Sequence, residues 1–191
     1  MRVFVTGIGR CGTVSFKEAC SHITNYSSAH ETVNPKLVYP DNHIEVNPHM
    51  RQCIREVAKK YPNEKWIHLI RNKTDNVRSL SVLDDGVIMT CYWVLRGSTI
   101  GETPIDIAET YYRDENNLIR DQLKLYVPPE NTMILYLDMI QNFWKSFWEF
   151  IEAEGDFQSS IQSWDTPHNT TEEREEAARL LLLEQEKGEQ E

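Results

Sequence analysis

Three glycines at positions 7, 9 and 12 punctuate the stretch VFVTGIGRCGTVSF, residues 3–16, with Arg10 and Cys11 inside the run and Thr13, Val14 and Ser15 directly after it. A strand that turns through glycines into a helix aims backbone N–H groups and the positive end of the helix dipole at one spot, and that spot binds anions. A guanidinium inside the loop can fork onto two oxygens of a phosphate or sulfate while the amides of residues 11 to 15 cup it. A second arginine, Arg71, follows the apolar run KWIHLI of residues 65–70, and Ser79 stands eight residues beyond it. Two stretches carry groups able to accept a proton: SSAHET, with His30 and Glu31, and HIEVN, with Glu45.

The glycine spacing admits several readings. G-x-G-x-x-G suits a dinucleotide site, which needs a second strand ending in an acid about 20 residues on, to hold a ribose. That region here is CSHITNYSSAHE, polar throughout, with no strand expected before Glu31. G-x-x-x-x-G also begins the loop of ATPases and kinases, which continues with Lys and Ser/Thr for phosphates and magnesium. This chain has Thr13 and Val14 there, although Asp138, ending MILYLD, could carry a magnesium ion. A tight turn without a ligand is the plainest alternative. The side chain that stands in for the missing lysine is Arg10. With no magnesium ligand at the expected place, the loop suits transfer of a group less charged than a terminal phosphate, and sulfuryl transfer fits.

VFVTGIGRCGT resembles the 5′-phosphosulfate loop of the sulfotransferase family, commonly written with G-x-G-R-S-G-T or K-S-G-T. That family also carries an Arg after its third strand and a Ser eight residues later, which grip the 3′-phosphate of the donor, 3′-phosphoadenosine 5′-phosphosulfate (PAPS). YPNEKWIHLIRNKTDNVRSL supplies Arg71 and Ser79 at that spacing. The likeness continues through NTMILYLDMIQNFWKSFWEFI, residues 131–151. It implies a P-loop-type, PAPS-dependent enzyme, a small member of microbial or phage type, with a P-loop NTPase-like three-layer α/β/α fold. It assigns Gly9, Arg10, Cys11, Gly12, Thr13, Val14 and Ser15 to the phosphosulfate end and Arg71 and Ser79 to the 3′-phosphate, with no metal. The acceptor implied is the hydroxyl or amine of a small molecule, a carbohydrate or a lipid headgroup. Three departures stand out: Val14 replaces the family's second loop Thr, Lys73 replaces a frequent Pro, and the glycine-rich C-terminal loop of many relatives is absent.

Transfer to an alcohol needs a base within hydrogen-bond reach of the acceptor and positive groups facing the transferred oxygens. The family uses a His or a Glu for this. Glu31 is the first choice here and His30 the second, with Glu45 as a supporting or acceptor-binding group and Arg10 stabilising the leaving phosphate. The aromatics of residues 143 to 150, the pairs Tyr92-Trp93 and Tyr111-Tyr112, and His168 with Asn169 are further candidates, with core packing the plainer role for the aromatics.

These residues need elements to hold them. The pattern predicts a strand at Val3–Thr6, a helix at Thr13–His22, a loop over Ser21–Asp41, and a short strand at His43–Asn47. A helix follows at Pro48–Lys60, then the strand Lys65–Ile70 and a helix at Asp75–Leu83 with Thr74 as its N-cap. Two helices are expected between Val87 and Tyr126, a strand at 132–137, a helix at Ile140–Ala153, and an irregular stretch from Gly155 to Thr171. Thr170 and Glu173 make a capping box for a last, acidic helix. Strands alternating with helices argue for a mostly parallel α/β sheet covered on both faces. The division expected is an α/β domain over residues 1–155 and an irregular segment with an acidic tail over 156–191.

A chain of 191 residues suits one cored domain. Its net charge of −10 argues against a nucleic-acid surface. No run reaches the ~20 apolar residues of a spanning helix, and the N-terminal run is too short for a signal peptide. The four cysteines, Cys11, Cys20, Cys53 and Cys91, form no metal-binding rhythm and read as reduced thiols of a cytoplasmic protein. Oligomeric state is not legible.

Overall fold

The computed structural model describes residues 1–81, 92, 94, 102–166, 172 and 176. Five strands form one all-parallel sheet: β1 (Arg2–Gly7), β2 (Ser27–His30), β3 (His43–Val46), β4 (Lys65–Ile70) and β5 (Thr132–Tyr136). Their spatial order is β2-β3-β1-β4-β5, with β1 at the centre. The helices are α1 (Thr13–Cys20), α2 (Ile54–Lys60), α3 (Lys73–Ser81), α4 (Pro104–Tyr126), α5 (Ile140–Ile151) and α6 (Phe157–Gln162). This is the expected α/β class, an all-parallel sheet with flanking helices.

The chain divides into two compact units, one of Met1–Asn72 with Arg113–His168 and one of Lys73–Tyr112 with Asn169–Glu191. In the first unit, Val3, Val5, Ile44, Val46, Ile67, Leu69 and Leu135 are all buried. Phe16 of α1 meets Trp144 and Phe147 of α5 edge-on, at 5.2 and 5.1 Å between centroids. Such pairs add about 0.5–1.5 kcal/mol beyond their burial. Trp144, Phe147 and Trp148 of α5 are therefore core, whereas Phe150 is half-buried and Phe143 exposed. Residues two apart on a strand share a face, and the alternate set around Phe4 stacks differently: its ring lies 4.9 Å from Trp66 and 5.2 Å from Tyr39. In the second unit, α3 buries Asn76, Val77, Ser79 and Leu80, Tyr92 packs edge-on against Tyr111 at 5.1 Å, and Lys73 pairs with Glu109 at 3.0 Å.

Four local expectations are corrected. The stretch Ser21–Asp41 is not all loop, because Ser27–His30 pairs with His43–Val46 as the edge strand β2. Its polar sequence gives no apolar alternation, since an edge strand needs pairing on one side only. The helix expected from Pro48 begins as a 3₁₀ turn, Pro48–Gln52, capped by Asn47, whose side chain accepts from the His49 amide. Helix α3 starts at Lys73, which places Thr74 inside it rather than at its cap. Gly155–Thr171 is partly helical: Asp156 caps α6 by accepting from the Ser159 amide at 3.0 Å. Ser160 then ties α6 to the core, donating to the Ala19 carbonyl at 2.6 Å and accepting from the Trp144 indole at 3.0 Å. The expectations for Trp93, His168, Asn169, the capping box and the final acidic helix fall outside the described residues.

Candidate functional site

Strand β1 delivers the glycine run to the carboxyl edge of the sheet, where ligands of parallel sheets bind. The backbone there tolerates little else. A Cβ on Gly7 would lie 2.5 Å from both the Leu69 carbonyl oxygen and the Cys11 sulfur. Gly12 has φ 93°, and a Cβ there would meet the Leu137 methyls at 2.9 Å. Arg10 adopts φ 66°, left-handed and unusual for a residue with a side chain. The first intrahelical donor is Phe16, bonding Gly12 at 3.0 Å, so the amides of Thr13 and Val14 lie ahead of the helical ladder at its positive end. Such a cradle fits an anion.

Arg71 leaves β4, which pairs directly with β1 through Gly7 and Leu69. Its Nη1 donates to the Arg10 carbonyl at 3.3 Å, so both guanidinium-bearing residues meet at the loop. The Asp138 carboxylate, just past β5, accepts from the Asn72 amide and from its side-chain nitrogen, each at 3.0 Å. That pair holds the segment next to Arg71, and it occupies the acid that an ATPase reading would give to magnesium. Cys11 lies under the loop as a neutral thiol: burial pushes it up to about 12, although Arg51 and Arg71 pull the other way. Among the described residues no cluster of three His, Cys, Asp or Glu is placed to hold a metal ion.

On the other side of α1, the edge strand β2 ends at His30, whose Nε2 lies 3.0 Å from the Thr13 hydroxyl. Glu31 follows in a left-handed conformation, φ 52°. Its carboxylate is 44% exposed and stands 3.8 Å from the same His30 nitrogen. Glu45 is different. It is fully buried and accepts from the Thr32 amide at 2.9 Å, from Asn47 Nδ2 at 3.0 Å and from His43 Nε2 at 3.4 Å. Burial pushes its pKa up, but these donors outweigh burial and hold it below the usual carboxylate value.

The strand order also bears on the dinucleotide reading. In that fold the strand after the first helix neighbours β1. Here β3 is inserted between β1 and β2, so Glu31 follows a strand one place removed from β1. A strand does precede Glu31, contrary to expectation, but in the wrong place for a ribose acid.

No protein-family model matches the chain, and no curated protein matches it. Solved structures do. The crystal structure of mouse sulfotransferase SULT7A1 complexed with PAP superposes with a TM-score of 0.54 at 11% identity, over 86% of this chain and 62% of that one. The fold is that of a sulfotransferase.

Within this sulfotransferase fold, the first unit brings together most of the residues singled out from sequence. Gly9, Arg10, Cys11, Gly12, Thr13, Val14 and Ser15 form the loop and the start of α1, Arg71 touches the loop, and His30 touches Thr13. Ser79 belongs to the second unit, buried on α3. Sequence reasoning missed three features. The segment after β3 neighbours the glycine loop, because the Asn47 amide donates to Val5 at 2.8 Å; the exposed His49 sits in that segment. Asp138 is a brace. Buried His68 of β4 bonds Asn116 of α4 through Nε2 at 3.0 Å, and among the described residues its Nδ1 has no hydrogen-bond partner. For His49, its place directly after a predicted strand was the available signal.

Proposed function

We propose that this protein is a PAPS-dependent sulfotransferase acting on the hydroxyl or amine of a small molecule, a carbohydrate or a lipid headgroup. The observation that carries the reading is the meeting of Arg71 with the strained Arg10 at a glycine loop that opens into α1, on a sulfotransferase fold. When bound, the donor supplies a sulfuryl group whose sulfur–oxygen bond to the 5′-phosphate breaks as the bond to the acceptor atom forms. The α1 amides and the Thr13 hydroxyl take the oxygens at that end, with Arg10 facing the charge that builds on the leaving phosphate. Arg71 and Ser79 take the 3′-phosphate, an assignment supported by their sequence spacing. His30 and Glu31 form the proton-accepting pair: Glu31, half in solvent, faces the incoming acceptor, and His30 stands between it and Thr13.

Binding and turnover test this separately. Titration with 3′,5′-adenosine bisphosphate should raise the melting temperature in the absence of magnesium, and magnesium-ATP should not. Release of 3′,5′-adenosine bisphosphate from PAPS across an acceptor panel then reports transfer. Stabilisation by magnesium-ATP alone would favour a phosphotransferase. Nucleotide binding with no turnover on any acceptor would leave a non-catalytic binding protein.

A further inference from the structure

We propose that Glu45, working with Asn47, is a positioning residue that sets the place of His30 and Glu31 relative to the loop. This inference rests on the sulfotransferase reading, because it concerns the segment assigned there to the proton.

Edge strand β2 has four residues, all paired to β3 alone, and none of them fully buried. Apolar burial of its own side chains therefore does little to fix where the chain leaves the sheet. At Glu31 the backbone turns left-handed, with the Glu31 amide still bonded to the Val46 carbonyl at 3.1 Å. The next amide, Thr32, has left the ladder, and Glu45 captures it at 2.9 Å. Asn47 closes the bracket: its Nδ2 donates to Glu45 at 3.0 Å and to the Thr32 carbonyl at 3.4 Å. Asn47 is itself fixed to the central strand, its amide on Val5. A continuous path thus runs from β1, which carries the loop, through Asn47 and Glu45 to Thr32, beside Glu31.

A carboxylate at a fully buried strand position, opposite Phe4 in register, is costly unless each oxygen is satisfied. Here both are: Oε1 takes Thr32 and Asn47, and Oε2 takes His43 Nε2. His43 Nδ1 then accepts from the Ser27 hydroxyl at 2.8 Å, which ties the start of β2 as well. An apolar residue would pack this position more simply and could not hold a loop amide. Glu45 cannot touch an acceptor from where it lies, so it acts through the residues it holds.

The test compares Glu45→Ala, Glu45→Gln and Asn47→Ala with the full-length wild type. Amide hydrogen exchange at Thr32 should speed up at least about tenfold in Glu45→Ala, and Glu45→Gln, which keeps one acceptor oxygen, should recover part of the protection. In PAPS turnover, kcat should fall about 10–100-fold in Glu45→Ala, with the PAPS KM and the affinity for 3′,5′-adenosine bisphosphate within about twofold of wild type. Unchanged Thr32 exchange would overturn the bracket. Released Thr32 with unchanged kcat, or a parallel loss of kcat and nucleotide affinity, would overturn its positioning role. If Glu45→Ala does not fold, Asn47→Ala and Glu45→Gln carry the same comparisons. A wild type that binds no 3′,5′-adenosine bisphosphate would sink the functional reading, while the exchange arm would still decide the bracket.

Discussion

His30 Nε2 lies 3.0 Å from the hydroxyl of Thr13, which joins the end of an edge strand to the first turn of the helix behind the glycine loop. The contact places an imidazole beside the spot where the α1 amides converge, and Glu31 stands 3.8 Å from that nitrogen on its outer side. General-base catalysis is worth about 10²–10⁴-fold. Glu31→Gln and His30→Asn should each lower kcat within that range, while binding of 3′,5′-adenosine bisphosphate survives within about threefold. The variant with the larger loss identifies the base. Full activity in both would move the base elsewhere, with His49 the next residue to substitute.

Arg10 is held at φ 66°, where a glycine would rest without strain. Arg10→Gly should therefore hold or raise stability, by up to about 1 kcal/mol, while weakening nucleotide binding. Arg71→Ala should weaken it too, by about 10–100-fold, since charge-assisted hydrogen bonds contribute about 1.5–3 kcal/mol. Calorimetric titration and thermal melts on the same samples check both signs. A loop arginine with no role in binding would leave affinity unchanged in Arg10→Gly.

The two loop glycines should fail differently. Gly12→Ala adds left-handed strain of about 1–2 kcal/mol and presses on Leu137, a flexible side chain 2.9 Å away. Leu137→Ala in the same chain should recover part of the loss. Gly7→Ala meets a backbone oxygen at 2.5 Å, which cannot move aside, and should cost about 3 kcal/mol or more. Urea unfolding of the three variants gives the comparison.

Asp138 accepts two hydrogen bonds from Asn72, beside Arg71. Asp138→Ala should loosen that segment and lower affinity for 3′,5′-adenosine bisphosphate about 3–10-fold, in EDTA and in magnesium alike. A loss seen only with magnesium present would make Asp138 a metal ligand and favour the phosphotransferase.

His68 carries a pH signature. Burial pushes its pKa down to about 4, against the lift from its bond to Asn116, with Arg120 adding to the depression. The unfolded chain binds this proton near pH 6.5 and the folded chain does not, so stability should fall as the pH drops from about 6.5 towards 4. The full effect is about 3 kcal/mol from this one group. His68→Gln should flatten that part of the stability–pH curve measured by denaturant unfolding.

Much of this arrangement is written locally in the chain. KWIHLI becomes β4 at its predicted bounds, because six buried or half-buried residues flanked by a turn and a charged segment leave the backbone few alternatives. The glycine loop and the start of α1 at Thr13 are equally local, since three glycines after a strand permit turns that other residues resist. The spacing of Arg71 and Ser79 is likewise present in the sequence, and it draws its meaning from the glycine loop that precedes it. What the sequence could not fix is pairing. SSAH is a strand only because β3 offers it a partner, and Glu45 holds Thr32 only because that pairing brings residues 13 apart into one bracket. The contact of His30 with Thr13, the meeting of Arg71 with Arg10 and the brace from Asp138 to Asn72 each join residues from separate elements. Propensity and spacing act over a few residues, whereas these contacts depend on strand order, which the packing of the whole sheet decides.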